Sequence, residues 1–517
     1  MLLARALRPT TRRLRCLSYL ASIDQGTSSS RVILYDAETL EPVASHQVEL
    51  QSATSTPEPG WSQMDPAAIL QSVDQAAQGA LDQANASAKD VVGVGITNQR
   101  ESTICWDSHT GNALYDCILW HDARTRDVSQ SLQDKLGGID ALRSVTGLPI
   151  STYFSGVKLK WLLDEVPSVR NALEQGSLRF GTVDTWLMHH LTGNHITDFT
   201  NASRTLMMDL GTGTWDPSCI DALGLPPSMI NALPTIKGCA EQLGVINKGP
   251  LKGCSITGVL GDQMAATVGQ RCFAVGDAKI TYGTGAFLLT NAGTKPVPSK
   301  HGLLSTALYD FGGKKTYALE GAVACCAVGL NWFRDSLGMV SNAPELSDLA
   351  SCVDSTEGAY FVSAFSGLLA PRWRDDARAA LVGLTLAHDR RHVARAVLEG
   401  VALQCNDVIT AMFEDTSNNA ATLYVDGGVA QSDILLQMQA DCAGISVARP
   451  ADVETTALGA AVAAGLGSGV FDSLEAVPID TGGTTRFAPR ISPEARAAKL
   501  ESWRAAVEAT YGWADRV

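Results

Sequence analysis

Five short stretches carry residue types that do chemistry together. Gly261-Asp262-Gln263 closes an apolar run and leaves a carboxylate where a loop would begin. A carboxylate at a strand end suits a general base acting on a hydroxyl. The same Asp suits the N-cap of a helix over 263–270, and these residues alone leave both readings open. Asn98-Gln99-Arg100-Glu101 also follows an apolar run. An Arg beside a Glu donates to one hydroxyl and accepts from the next, as a polyol requires; the alternative is a surface ion pair of little worth. In Asp24-Gln25-Gly26-Thr27-Ser28-Ser29-Ser30-Arg31, Gly26 lets the backbone approach an oxygen closely. Thr27, Ser28 and Ser29 offer hydroxyl and N–H donors to phosphate, Arg31 offers charge, and Asp24 is a hard ligand for Mg²⁺. A Ser-rich surface hairpin is the alternative. Tyr282-Gly283-Thr284-Gly285 repeats this hardware, and Asp426-Gly427-Gly428 either lays bare backbone against a purine or simply ends a strand.

Composition narrows the choices. The chain has 517 residues, 45% hydrophobic and 18% charged, enough to bury a large core without disulfides or metals. A balance of 40 Lys+Arg against 54 Asp+Glu gives a net charge of −14, which argues against nucleic acid or an anionic membrane as the main partner. It does not argue against a nucleotide, which Mg²⁺ and backbone N–H groups can hold. Twelve cysteines show no C-x-x-C pair and read as reduced, mostly buried thiols. The first eighteen residues contain Arg5, Arg8, Arg12, Arg13 and Arg15 and no acid, the composition of a mitochondrial transit peptide; a short extension on a cytoplasmic protein is the alternative. The stretch 455–471 is uncharged over roughly 17 residues, too short for a membrane span, and reads as a buried helix.

These residues need elements to position them. Residues 19–23 and 31–35 read as strands around a turn at 24–27, and 278–281 and 286–290 as strands around 282–285. Two similar hairpins roughly 250 residues apart predict an internally duplicated architecture. Further strands are expected at 91–96, 256–259 and 422–425. Helices are expected at 69–84 behind Asp65-Pro66, at 391–412 as an amphipathic helix, and from Ser432 to Gly444. Residues 226–253, rich in Gly and Pro, read as loops around a small element. Alternating helix and strand in the last third means α/β layers. The common phosphate motifs G-x-x-x-x-G-K-[ST] and G-x-G-x-x-G at a helix start are absent, as is the H-R-D catalytic loop.

In this order, the stretches at 23–31, 95–101, 153–156, 181–186, 200–204, 261–263, 281–285, 318–321 and 425–428 resemble the FGGY family of carbohydrate kinases, specifically its glycerol-phosphorylating members. The resemblance spans about residues 19–471. It implies an α/β fold of two actin-like (ribonuclease H-like) ATPase domains with a cleft between them. The division expected is an extension at 1–18, an N-terminal domain at 19–265, a C-terminal domain at 266–475 and a tail at 476–517. Carried over by position, the resemblance implies that Thr27, Ser28, Ser29 and Arg31 contact ATP phosphates with Asp24 near Mg²⁺, and that Thr284 and Gly428 contact the nucleotide. It implies that Arg100, Glu101, Tyr153, Asp262 and Gln263 bond glycerol, that Trp120 and Phe287 pack on its carbons, and that Asp262 is the general base. A homo-oligomer is compatible with it.

Three positions depart from the family pattern. Ala327 and Asn331 stand where relatives with G-A-S-I-Q-W place Gly and Gln, so the adenine-side contact is one methylene shorter. Ser432 stands where an Asn is common after the D-G-G glycines. The stretch 249–253 lacks the Arg of the loop that binds fructose 1,6-bisphosphate in regulated bacterial members. Rival readings are a xylulose or gluconate kinase of the same family, which Asn98 to Glu101 disfavours, and a non-enzymatic actin-like nucleotide-binding module, which needs no Asp262/Arg100/Glu101 set.

Overall fold

The computed structural model describes residues 18–418, 420–451, 454–478 and 483–516. The Arg-rich segment 1–17 lies outside the described residues. The chain opens with three antiparallel strands, β1 (Tyr19–Gln25), β2 (Ser29–Asp36) and β3 (Pro42–Glu49). β4 (Val91–Asn98) returns parallel to β1. β5 (Ala240–Val245) pairs antiparallel with β6 (Ser255–Gly261), which runs parallel beside β4. The layout then repeats. β7 (Ala278–Tyr282), β8 (Ala286–Gly293), β9 (Leu304–Phe311) and β10 (Lys314–Val323) form an antiparallel group in the order β7-β8-β10-β9. β11 (Thr422–Asp426) runs parallel to β7, β12 (Ser446–Arg449) parallel to β11, and β13 (Thr485–Phe487) closes the edge. A single bridge, Ala240 to Phe311, joins both groups into one 13-stranded sheet. The duplication expected from the two hairpins is therefore real at the level of topology.

The expected elements form, with instructive differences. Both hairpin turns are tighter than the composition indicates: Asp24 and Gln25 sit inside β1, paired with Arg31 and Ser30. Helix α1 (Pro66–Ala84) starts as its Asp-Pro signal predicts, with the Asp65 carboxylate accepting from the Ala67 N–H and Asn85 closing the end at φ +49°. β5 is the small element expected within 226–253, with short turns of 3₁₀ helix and strand before it. The helix Arg390–Thr416 is longer than expected and not amphipathic: residues all round it, from Ala394 to Met412, are buried. It is long and apolar enough to cross a membrane, yet its most apolar window is 83% buried inside the fold. All eleven described cysteines are unpaired thiols, and all but Cys352 are buried.

Two helices pack backbone on backbone against the first group of strands. Helix α2 (Asp262–Gly269) leaves the end of β6, and helix α3 (Thr455–Gly467), the buried helix expected at 455–471, lies against α2, β1, β4 and β6. A Cβ built on Gly459 would lie 1.8 Å from the Ala265 carbonyl oxygen, one on Gly269 2.0 Å from that of Thr455, and one on Gly95 2.0 Å from that of Ala460. Glycine is required at these positions because backbone packs directly on backbone. Gly459→Ala, which would gain up to about 1 kcal/mol in an exposed helix, is expected instead to lose roughly 1–3 kcal/mol through overpacking. Urea unfolding measures this; stability equal to wild type would show that the helices have room to part.

Candidate active site

β1, β4 and β6 are parallel and end at one level, with Gln25 opposite Asn98 and Asn98 opposite Gly261. Residues just past these ends therefore share one crevice, where ligands bind in parallel sheets. The short turn 198–204 braces it. Asn201 and Asn98 exchange side-chain amide hydrogen bonds at 3.1 and 3.0 Å, and the Thr200 hydroxyl accepts from the Gly261 N–H at 2.9 Å. Glu101 holds φ +58°, a costly conformation for a residue of this kind. Its carbonyl is pinned there by the hydroxyls of Thr103 and Ser155, each at 3.0 Å.

The charged side chains form an alternating series. Arg100 Nε donates to Asp262 Oδ1 at 3.0 Å, while its Nη1 and Nη2 donate to the two oxygens of Glu320 at 2.6 and 3.1 Å. Arg204 Nη2 donates to the same Glu320 at 3.1 Å, and its Nε donates to Glu101 Oε1 at 2.6 Å. Arg100, Glu101, Glu320 and Arg204 are buried, whereas the Asp262 side chain is 33% exposed. Burial works to raise the Glu320 carboxyl, but Arg100 and Arg204 outweigh it and hold the group below the usual range. For Glu101, burial prevails over the pull of Arg204 and Arg100 and pushes the carboxyl up. Asp262 is the first residue of α2, Gly261 is the cap, and the carboxylate faces Arg100. Its Oδ1 also accepts from the Gln263 N–H at 2.6 Å, so the carboxylate serves both the start of the helix and Arg100.

Rings wall this cluster. The Trp120 ring lies 5.8 Å from Tyr153 and 6.0 Å from Phe287, which comes from β8 in the second strand group. Burial pushes the Tyr153 phenol well up, so it stays a donor. Trp120 Nε1 donates to the Thr27 hydroxyl at 3.0 Å, tying the wall to the first hairpin. In that hairpin Gly26 N–H donates to the Ser29 carbonyl at 2.9 Å and Ser28 is exposed at the tip. Arg31 lies opposite Asp24 but is engaged by Gln47, at 2.8 Å from Nε, and by Glu454. Asp24 is half-buried; desolvation, countered by Arg31 and reinforced by Asp262 and Glu454, pushes its carboxyl up to about 7. In the second hairpin Gly283 N–H donates to the Gly285 carbonyl, and the Thr284 side chain is exposed. Gly427 holds φ +87°, and a Cβ there would meet the Tyr282 carbonyl oxygen at 2.4 Å, whereas nothing lies within 4 Å of one on Gly428. Gly427 is thus required by packing, and Gly428 leaves room for a flat ligand. Ala327 and Asn331 bound the short helix after β10, Asn331 exposed. The Ser432 hydroxyl caps the helix Asp433–Ala443 and pairs with Ser347 at 2.8 Å.

Models of the FGGY family of carbohydrate kinases match the chain, the N-terminal domain over residues 19–269 and the C-terminal domain over 278–468. The chain belongs to the FGGY family of carbohydrate kinases. Glycerol kinase of Nocardia farcinica is 45% identical over 505 residues, covering 96% of this chain and 99% of the relative. Glycerol kinase of Arabidopsis thaliana is 45% identical over 522 residues, covering 96% and 98%. The crystal structure of Plasmodium falciparum glycerol kinase with ADP is 35% identical, with a TM-score of 0.89 over 96% of this chain and 98% of that one. The fold is accordingly the two-domain, actin-like one of this kinase family.

In this FGGY kinase the structure gathers Arg100, Glu101, Tyr153, Asp262, Trp120 and Phe287 into one cluster, with Gln263 beside Asp262. It places Thr27 against Trp120 and leaves Thr284 and Gly428 open. It holds Arg31 and Ser432 on protein partners. Sequence reasoning assigned no role to Arg204, Glu320 or Lys279. The available signal was an ionisable residue inside an apolar stretch, as in Ala318-Leu319-Glu320-Gly321, where a charge survives only if paired. Among the described residues no group of three or more His, Cys, Asp or Glu forms a metal cage. Mg²⁺ needs none when phosphate oxygens complete its shell, and the desolvated Asp24 carboxylate, whose neighbour Arg31 is engaged by Gln47 and Glu454, fits that arrangement. Asp262→Asn keeps an oxygen for Arg100 but cannot take a proton. The expected result is turnover lowered roughly 10²-fold or more, with KM and thermal stability near wild type. Steady-state kinetics and a melt check this; near-normal turnover would reduce Asp262 to a helix-starting residue.

Proposed function

We propose that this kinase transfers the γ-phosphoryl group of ATP to glycerol, giving sn-glycerol 3-phosphate and ADP. The carrying observation is the part-exposed Asp262 carboxylate held by Arg100 beside Glu101, inside walls made by Trp120, Tyr153 and Phe287. That enclosure suits a short polyol, and the relatives named glycerol kinase over nearly the whole chain support the same substrate.

The chemistry follows from position and charge. Asp262 accepts the proton of one terminal hydroxyl, the freed oxygen bonds to the γ-phosphorus in line, and the bond from that phosphorus to the departing ADP oxygen breaks. Glu101, whose Oε1 is taken by Arg204, accepts from a neighbouring hydroxyl, while Arg100, Tyr153 and Gln263 donate. Thr27, Ser28, Ser29 and Thr284 meet the phosphates, and the bare Gly428 backbone meets the purine side. Asp24 would hold Mg²⁺, which when bound neutralises phosphate charge. Trp120 and Phe287 exclude water from the reacting oxygen, so ATP is not lost to hydrolysis.

A coupled assay with ATP and a polyol panel tests the assignment. A site built to bond a hydroxyl rejects an analogue lacking it by as much as about 10⁴-fold, and the ring walls penalise added carbons. Glycerol is therefore expected to exceed both 1,2-propanediol and xylulose in kcat/KM, and a preference for xylulose would overturn the reading.

We also propose that the Arg-rich segment 1–17 is a mitochondrial address separable from catalysis. A chain starting at Ser18 is expected to be fully active, and the segment fused to a fluorescent protein to reach mitochondria. A diffuse cytosolic fusion would overturn the address.

A further inference from the structure

Lys279 has no part in the chemistry described above, yet it is 0% exposed beside the site. It lies on β7, in the second strand group, and reaches across to α2. Its ammonium donates to Gln263 Oε1 at 2.6 Å and to Thr281 Oγ1 at 2.6 Å. Both bonds are short, as charge-assisted bonds are. Burying an ammonium is costly, and here desolvation lowers its pKa although Asp426, Asp262 and Glu320 pull it upward. Nothing in the local backbone demands this charge, since β7 pairs with β8 and β11 through its main chain.

The consequence falls on Gln263. A glutamine amide has nearly the same shape in either flip, so its neighbours decide which end points where. An ammonium only donates, so the carbonyl oxygen must face Lys279. The Nε2 group is thereby left as a donor, with no acceptor among the described residues. Gln263 directly follows Asp262, whose carboxylate accepts. A hydroxyl held by both residues donates its proton to Asp262 and accepts from Gln263, which aims one lone pair at the amide and leaves another for attack.

We propose that Lys279 is a positioning residue that locks the Gln263 amide with its N–H₂ group toward the substrate hydroxyl, so that the second strand group dictates how the first one grips its substrate. This rests on the polyol kinase reading above. The tests use the full chain and whichever polyol of the panel the wild type turns over best, so a best substrate other than glycerol would overturn the glycerol assignment and leave this inference testable. Gln263→Glu keeps an oxygen for Lys279 but puts an acceptor where the donor was. It is expected to raise the polyol KM about 10-fold or more, the scale of one lost hydrogen bond with like groups opposed, with the ATP KM within about 3-fold and thermal stability unreduced. Lys279→Met is expected to raise the polyol KM similarly, Lys279→Arg to restore part of it, and Lys279→Met added to Gln263→Leu to cost nothing further, because the two residues act as one unit. An unchanged KM in Gln263→Glu would overturn the proposal even if Lys279→Met failed to fold. So would additive losses from Lys279→Met and Gln263→Leu.

Discussion

Arg100 and Glu320 stand 220 residues apart in the chain and meet as a two-pronged pair that is almost wholly buried. Removing such charges from water costs several kcal/mol each, and only close, well-directed partners offset that cost. Here the offset extends along a series: Asp262, Arg100, Glu320, Arg204, Glu101, negative and positive in turn. Glu320 alone comes from the second strand group. Without it two guanidinium groups would face each other in the interior. An ionic contact between the two groups thus also orients the guanidinium that holds the Asp262 carboxylate. Asp262 ends the series and is its only part-exposed member, so the group that exchanges a proton in the proposed reaction is also the one open to solvent.

Such a series tolerates little movement, because its hydrogen bonds weaken steeply as they lengthen. The α2–α3 contact supplies the needed stiffness. With glycines at 95, 269 and 459 the backbones touch directly, and no rotatable side chain lies between them to absorb displacement. α2 begins at Asp262 itself, so the packing that holds the helix also holds the carboxylate. The braced turn 198–204 performs the same service from the other side, joining the ends of β4 and β6 while presenting Arg204.

The repeated strand layout explains why the chain carries two similar hairpins. Each group ends its first strand in a Gly-containing turn with hydroxyls and N–H donors, and the single β5–β9 bridge joins the two groups into one sheet. The repetition is one of backbone, not of side chains. Asp24 closes one hairpin strand, whereas the matching strand carries Lys279 and Thr281 and serves Gln263 instead.

The sequence by itself determined the two hairpins and the parallel strands beside them, the duplication and the buried helix that forms over 455–467, because these depend on local patterning and on short motifs whose order is specific; the strands 42–49, 304–311, 314–323, 446–449 and 485–487 carried no signal strong enough to be expected. It misjudged what local signals express poorly. Within 226–253 it indicated a small element without its type, which is the strand β5, and Arg390–Thr416 looked amphipathic although tertiary packing covers it on all sides. A capping Asp and a catalytic Asp look alike in sequence; the tertiary structure adds the Arg100 guanidinium on the Asp262 carboxylate, which no local pattern shows. Arg204, Glu320 and Lys279 belong wholly to the tertiary level. A buried charge acquires its role from partners, and theirs come from segments 16 to 220 residues away, a distance over which no spacing rule in a single sequence can read a contact.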